Sequence, residues 1–155
     1  MSAQPNVTAC AWNLMGQQGS WEPAWIENAM VDMWPYRTRT ASLLRKYGRA
    51  AVEVGRLPSL LGREFFRARV TSYSMANFED VVIFVADMEQ ALEKLSVMEK
   101  RIVALGVLEE YTVPEVSRLL QCPQRTVERQ LHDALDHLSW ILLEGGILER
   151  LPQVD

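Results

Sequence analysis

Apolar residues recur at intervals of three and four along most of the chain after residue 77, which predicts a series of amphipathic helices. Two of these helices are separated only by residues 121–123, a segment so short that it can form nothing but a tight turn. The helix before the turn has an apolar stripe made of Val116, Leu119 and Leu120. The helix after it has a longer stripe, made of Val127, Leu131, Ala134, Leu135, Leu138, Ile141 and Leu142. The pattern predicts a helix-turn-helix.

The second helix carries polar side chains near its N-terminus, on the face opposite the apolar stripe. Arg and Gln can each form paired hydrogen bonds with base edges in the major groove of DNA, which is wide enough for a helix. The first helix starts with the Thr-x-x-Glu pattern of a capping box, and its first N–H groups can bind a phosphate. The candidate DNA contacts are Thr112, Gln124, Arg125, Thr126, Glu128, Arg129 and His132. The alternative is the solvated face of an ordinary helical hairpin.

Residues 92–138 resemble region 4 of the sigma-70 family of bacterial transcription initiation factors. The matching elements follow in order: LEKL at 92–95, EKR at 99–101, YTVPEV at 111–116, LLQCP at 119–123, TVE at 126–128 and HDALDHL at 132–138. The resemblance implies an all-α helix-turn-helix domain that binds double-stranded promoter DNA upstream of the start site and docks on the RNA polymerase core.

Two positions in the turn depart from the family pattern. Gln121 stands where a glycine is common, so a differently shaped turn is one expectation. Pro123 replaces a frequent Ser or Thr, which removes a hydroxyl that can cap the second helix and contact a phosphate.

The rest of the chain is expected to be helical after an irregular start. Asn77 can cap a long helix, and Ser96 with Glu99 repeats the capping-box pattern for the next one. The buried stripe of the long helix is predicted to include Phe78, with Ile83 and Phe84 broadening it so that the helix packs on two sides. The predicted divisions are a tryptophan-containing, mostly unstructured arm (1–36), a basic helical segment (37–76), the helix-turn-helix domain (77–146) and a tail (147–155).

The charge of the chain is unevenly distributed. The net charge is −4, but residues 37–69 contain nine basic and two acidic residues, which is +7. Residues 78–155 contain 15 acidic and seven basic residues, which is −8. Such asymmetry indicates contact with nucleic acid. The candidate phosphate contacts are Arg45, Lys46, Arg49, Arg63, Arg67 and Arg69, and the alternative for this segment is a solubilising face above a small core of its own.

Composition narrows the class of protein further. Hydrophobic residues make up 48% of the chain, enough for a packed core, and no apolar run reaches the length of a membrane span. Cys10 and Cys122 lie far apart and suggest neither a disulfide framework nor a metal site. His132 and His137 do not share a helix face, and no phosphate-cradling glycine loop or catalytic carboxylate pair is present. We therefore expect a cytoplasmic protein that is not an enzyme and that needs no cofactor or metal.

The sequence supports two hypotheses of function. The first is a DNA-binding transcription factor that resembles a sigma factor. The alternative is a non-catalytic interaction module that binds polymerase or another transcription factor without reading DNA. Residues 1–77 lack the aromatic and basic pattern of the family's promoter-melting region, which favours a sigma-like regulator or a divergent small sigma factor.

Overall fold

The computed structural model describes residues 32–55 and 78–152. These two ranges contain helices and no strands, which confirms the predicted all-α fold. The helices are α1 (Arg37–Glu53), α2 (Phe78–Glu93), α3 (Val97–Val103), α4 (Val113–Leu120) and α5 (Gln124–Glu144). A 3-10 turn at Trp34–Tyr36 precedes α1, and a π-helical segment at Ala104–Leu108 continues α3. Within the same ranges, no helix combines the length and the apolar character that crossing a bilayer requires.

Helix α1 shares one hydrophobic core with the helix-turn-helix. Leu44 and Tyr47 of α1 are fully buried in the same cluster as Leu138 and Leu142 of α5. The sequence places residues 37–76 in a segment separate from residues 77–146, whereas the structure packs α1 directly against α5. The apolar stripe of α1 covers the C-terminal half of α5, which would otherwise expose its own stripe to water.

Two polar pairs cross the α1–α5 contact. The Arg37 guanidinium donates from Nε and Nη2 to the two carboxylate oxygens of Asp136, at 2.6 Å each. The buried hydroxyls of Thr40 and Ser139 are 2.6 Å apart. Both pairs have the same spacing of three residues along their helices, so they form one continuous row. We refer to these four residues as the polar seam.

Residues on either side of the helices also belong to the core. Met33 and Tyr36, which the sequence assigns to the irregular arm, are buried, and Leu148 of the predicted tail is buried as well. The backbone N–H of Leu151 donates to the Tyr36 hydroxyl at 3.0 Å. The start of α1 and the end of the described chain therefore hold each other in place.

Helix α2 buries one face rather than the two that its sequence predicts. Val85 and Met88 are fully buried, but Phe78 is 66% exposed and Ile83 is 59% exposed. The prediction for Phe78 and Ile83 is wrong, because α1 and α5 approach α2 from the Val85 side and no described element covers the other.

The Ser96–Glu99 capping box predicted for α3 is confirmed. The Ser96 N–H donates to the Glu99 carboxylate at 2.8 Å, and the Glu99 N–H donates to the Ser96 hydroxyl at 3.2 Å. Glu99 is also only 5% exposed, and its second carboxylate oxygen lies 2.8 Å from Nδ1 of His137 on α5. The same side chain thus caps α3 and joins it to α5.

The turn between α4 and α5 keeps the shape that a glycine would give it. Gln121 has the left-handed backbone conformation, with φ 53° and ψ 41°. The Cys122 N–H donates to the Ser117 carbonyl at 3.0 Å, and the Ser117 hydroxyl donates to the Cys122 carbonyl. Gln121 therefore has the backbone conformation that favours glycine, the residue that is common at this position of the family. Cys122 is buried.

Replacing Gln121 with glycine is expected to raise the free energy of unfolding by about 0.5–1 kcal/mol. The left-handed conformation is unfavourable by about 1–2 kcal/mol for a residue with a Cβ, and the larger freedom of glycine in the unfolded chain offsets part of the gain. Urea unfolding measures the change. The matched control is Gln90→Gly on the exposed side of α2, which should lose about 1 kcal/mol. An equal loss in both variants would mean that Gln121 is not left-handed in solution.

Candidate nucleic-acid interface

The polar side chains predicted to contact DNA lie on the solvent side of α5. Its first three turns expose five of them, and Thr126 is half-buried; the exposed five are Gln124, Arg125, Glu128, Arg129 and His132. The opposite face of α5 is buried. Val127 on that face is 1% exposed and packs in the core with Val116 of α4. The structure therefore presents these side chains from a rigid base, and no neighbouring described element covers them.

The N-terminus of α5 also exposes backbone donors. Pro123 is the N-cap and offers no side-chain hydrogen bond, as the sequence predicts. The N–H groups of Thr126 and Val127 donate to the Pro123 carbonyl at 2.9 and 3.0 Å. No helical carbonyl lies one turn before the N–H groups of Gln124 and Arg125, so both can donate to a phosphate at the positive end of the helix dipole.

Thr112 is less suited to a phosphate than the residues of α5. Its N–H and its hydroxyl both donate to the Glu115 carboxylate, at 2.8 and 2.7 Å. These hydrogen bonds from Thr112 hold the pKa of Glu115 below its usual value, so the carboxylate is charged at neutral pH. A phosphate at Thr112 would have to displace this carboxylate and would meet its negative charge. The phosphate role of Thr112 stays a prediction, with this competition against it.

An open concavity of about 640 Å³ runs beside the exposed face of α5. Its lining includes five of the seven predicted contacts and two further charged residues, Arg37 and Asp133, which are not among the contacts predicted from the sequence. The lining residues are Arg37, Pro123, Arg125, Thr126, Glu128, Arg129, His132 and Asp133.

Asp133 brings a carboxylate to the edge of this surface. Burial and the neighbouring Asp136 raise its pKa, while the charges of Arg129 and Arg37 oppose the shift. The surface therefore mixes both signs of charge, and the arginines must outweigh the acids for a phosphate backbone to approach.

The sequence contains a signal that Arg37 has a charged partner. Arg37 precedes Thr40 by three residues and Leu44 by seven, so it lies in line with the buried stripe of α1. A charged residue in such a line indicates a charged partner on the opposing helix. The signal does not identify the partner, because Asp136 lies 99 residues away.

The predicted phosphate contacts on α1 are not brought to the concavity. Arg45 is exposed and its Nε lies 3.2 Å from Glu110 Oε1, and Lys46 Nζ lies 4.9 Å from the centre of the Phe84 ring. Arg49 is exposed but does not line the concavity either. Arg63, Arg67 and Arg69 lie outside the described residues. A phosphate-binding role for this set stays a prediction.

Comparison with known families shows that part of the chain matches the family described as Sigma-70, region 4. The match spans residues 86–138, which are 53 of the 155 residues. It contains α3, α4, the turn and the first two thirds of α5, whereas α1 lies outside it. No curated protein and no solved structure matches the chain significantly.

Proposed function

We propose that this protein, whose residues 86–138 match the family described as Sigma-70, region 4, recognises promoter DNA with α5 and docks on RNA polymerase. The observation that carries the proposal is the solvent-facing group of Gln124, Arg125 and Arg129 on the first two turns of a helix whose other face is buried. Helix-turn-helix proteins insert this part of the second helix into the major groove. Promoter binding would place the protein in the cytoplasm.

The proposed contacts divide into two kinds. Arg125 and Arg129 can each form two hydrogen bonds with the O6 and N7 atoms of a guanine, and Gln124 can pair with an adenine in the same way. Glu128 can accept a hydrogen bond from the amino group of a cytosine. The free N–H groups at the start of α5 would bind the flanking phosphate and set the depth of the helix in the groove.

An interaction module that does not read DNA is the second candidate. The observation in its favour is negative charge, because residues 78–155 carry −8 and both Glu128 and Asp133 line the concavity. Such a surface suits a basic partner protein better than it suits a phosphate backbone.

Arg125→Ala and Arg129→Ala are each expected to weaken binding to the preferred duplex by about 1–3 kcal/mol, with loss of discrimination at one base position. The measurement is a selection of random duplexes by the full chain, followed by titration of the enriched sequence. The matched control is Arg101→Ala on the exposed surface of α3, outside the lining of the concavity. It should leave the preferred sequence unchanged.

The same experiment separates the two candidate functions. Enrichment of one motif that both arginine variants lose supports a DNA reader. Binding to the polymerase core that survives both substitutions, together with no enriched motif in its presence or absence, supports the interaction module and contradicts DNA reading.

A further inference from the structure

Helix α1 contributes one cation to the surface that α5 presents. Arg37 lines the concavity together with Arg125 and Arg129, although it lies 49 residues before the start of the family match at residue 86. Arg37 belongs to the polar seam, so its position is fixed by the packing of α1 on α5. It is not a freely rotating side chain on the surface.

Asp136 leaves part of the Arg37 guanidinium available. An arginine has five N–H donors, and the bidentate pair uses one on Nε and one on Nη2. The Arg37 side chain is 30% exposed, whereas that of Asp136 is 16% exposed. The carboxylate therefore lies behind the guanidinium and orients it, while the remaining donors can reach a ligand on the solvent side.

The charge balance of the concavity depends on this residue. Its lining has three arginines, Arg37, Arg125 and Arg129, against two acids, Glu128 and Asp133. Without Arg37, two cations would face two anions, and Asp136 would add a third carboxylate without its partner. A phosphate backbone would then meet a neutral or negative surface.

We propose that Arg37 is a phosphate-binding residue which extends the DNA contact of the region 4 domain onto α1, with Asp136 as its positioning residue. The inference rests on the proposed DNA-binding function. It assigns sequence-independent affinity to Arg37, whereas Arg125 and Arg129 supply base recognition.

The test is the salt dependence of DNA binding in the full chain carrying the paired change Arg37→Gln and Asp136→Asn. The paired change keeps a hydrogen-bonded side chain on each helix and removes one charge of each sign, so the net charge of the chain stays the same. We expect binding to the preferred duplex and to a random duplex to fall by the same factor, about three- to tenfold at 0.1 M salt. The slope of log K against log salt should become shallower by about 0.9, as expected for the loss of one phosphate contact.

Two single variants serve as controls. Asp136→Asn keeps the cation but replaces one of the two acceptor oxygens that orient it. It should keep the wild-type slope, because the phosphate contact remains, and weaken binding to both duplexes by less than the paired change does. Arg39→Gln removes an exposed arginine of the same helix that does not line the concavity, and it should also keep the slope. Circular dichroism and urea unfolding establish that each variant is folded.

The result that overturns the inference is a paired variant with the wild-type slope and affinity, or an Arg39→Gln slope that falls by the same amount. Either outcome can occur while Arg125→Ala still loses the preferred motif, so the proposed function would survive. If the wild-type chain binds no duplex, both the inference about Arg37 and the proposed DNA-binding function are contradicted.

Discussion

The Tyr47→Ala variant is expected to lose about 3–5 kcal/mol of unfolding free energy, in a single transition that includes the helix-turn-helix. Tyr47 is fully buried between α1 and the rest of the core, and truncating a large aromatic residue in such a position leaves a cavity. Since a small domain is stable by only about 5–15 kcal/mol, the change should move the urea midpoint strongly. The measurement is urea unfolding followed by both helical and tryptophan signals.

The control for Tyr47 is a tyrosine at the surface. Tyr111 is 37% exposed, so Tyr111→Ala should change the unfolding free energy by well under half as much. If Tyr47→Ala instead melted a minor part of the helical signal and left the major transition at the wild-type midpoint, α1 would be a separate unit. The division between residues 37–76 and 77–146 that the sequence suggests would then describe the molecule in solution.

Glu99→Gln is expected to destabilise the fold by about 2–4 kcal/mol at neutral pH. The Glu99 carboxylate is almost fully buried and accepts hydrogen bonds from the Ser96 N–H and from His137, so the substitution weakens both the α3 cap and the link to α5. The matched control is Glu93→Gln, which changes an exposed carboxylate that lies 3.3 Å from Lys100 and should lose less than about 1 kcal/mol.

The contribution of Glu99 to the free energy of unfolding is also expected to depend on pH. Burial alone raises the pKa of Glu99, but the hydrogen bonds from His137 and Ser96 outweigh it and hold the pKa below the ordinary value of 4.5. A carboxylate with a lowered pKa in the folded state stabilises the fold above its unfolded-state pKa, and this stability is lost as the pH falls through the folded-state pKa.

Thermal unfolding from pH 7 to pH 3 tests this dependence. The difference in stability between the wild type and Glu99→Gln should stay constant down to about pH 5 and shrink below it. A difference that stays unchanged at pH 3 would contradict the charged form of Glu99 as the source of stability.

The helix-turn-helix could be predicted because its determinants are local. The stripe of Val116 and Leu120, the capping pattern at Thr112 and the three residues of the turn all lie within one short stretch of sequence. The capping box at Ser96 is local in the same way, and the structure confirms it. Exposure of the polar face of α5 follows from the same periodicity, since a helix that buries one stripe presents the other side to solvent.

The features that could not be predicted depend on contacts between distant segments. A helical stripe indicates that a face is buried, but it does not identify what covers it. Because of this limit, the sequence does not show that α1 packs on α5, and it assigns the exposed Phe78 to the core. It also explains the missed roles of Glu99 and His137, since the spacing of a capping box does not show that a second helix approaches the same carboxylate.

The polar seam has a consequence for how the chain reaches its native state. Arg37 meets Asp136 across 99 residues, and Tyr36 meets Leu151 across 115. During synthesis α1 leaves the ribosome before α5. The apolar face of α1 therefore stays exposed until α5 has been synthesised and packs against it. Contacts of such long range slow folding, and we expect nascent chains that end before α5 to expose Leu44 and Tyr47 to chaperones.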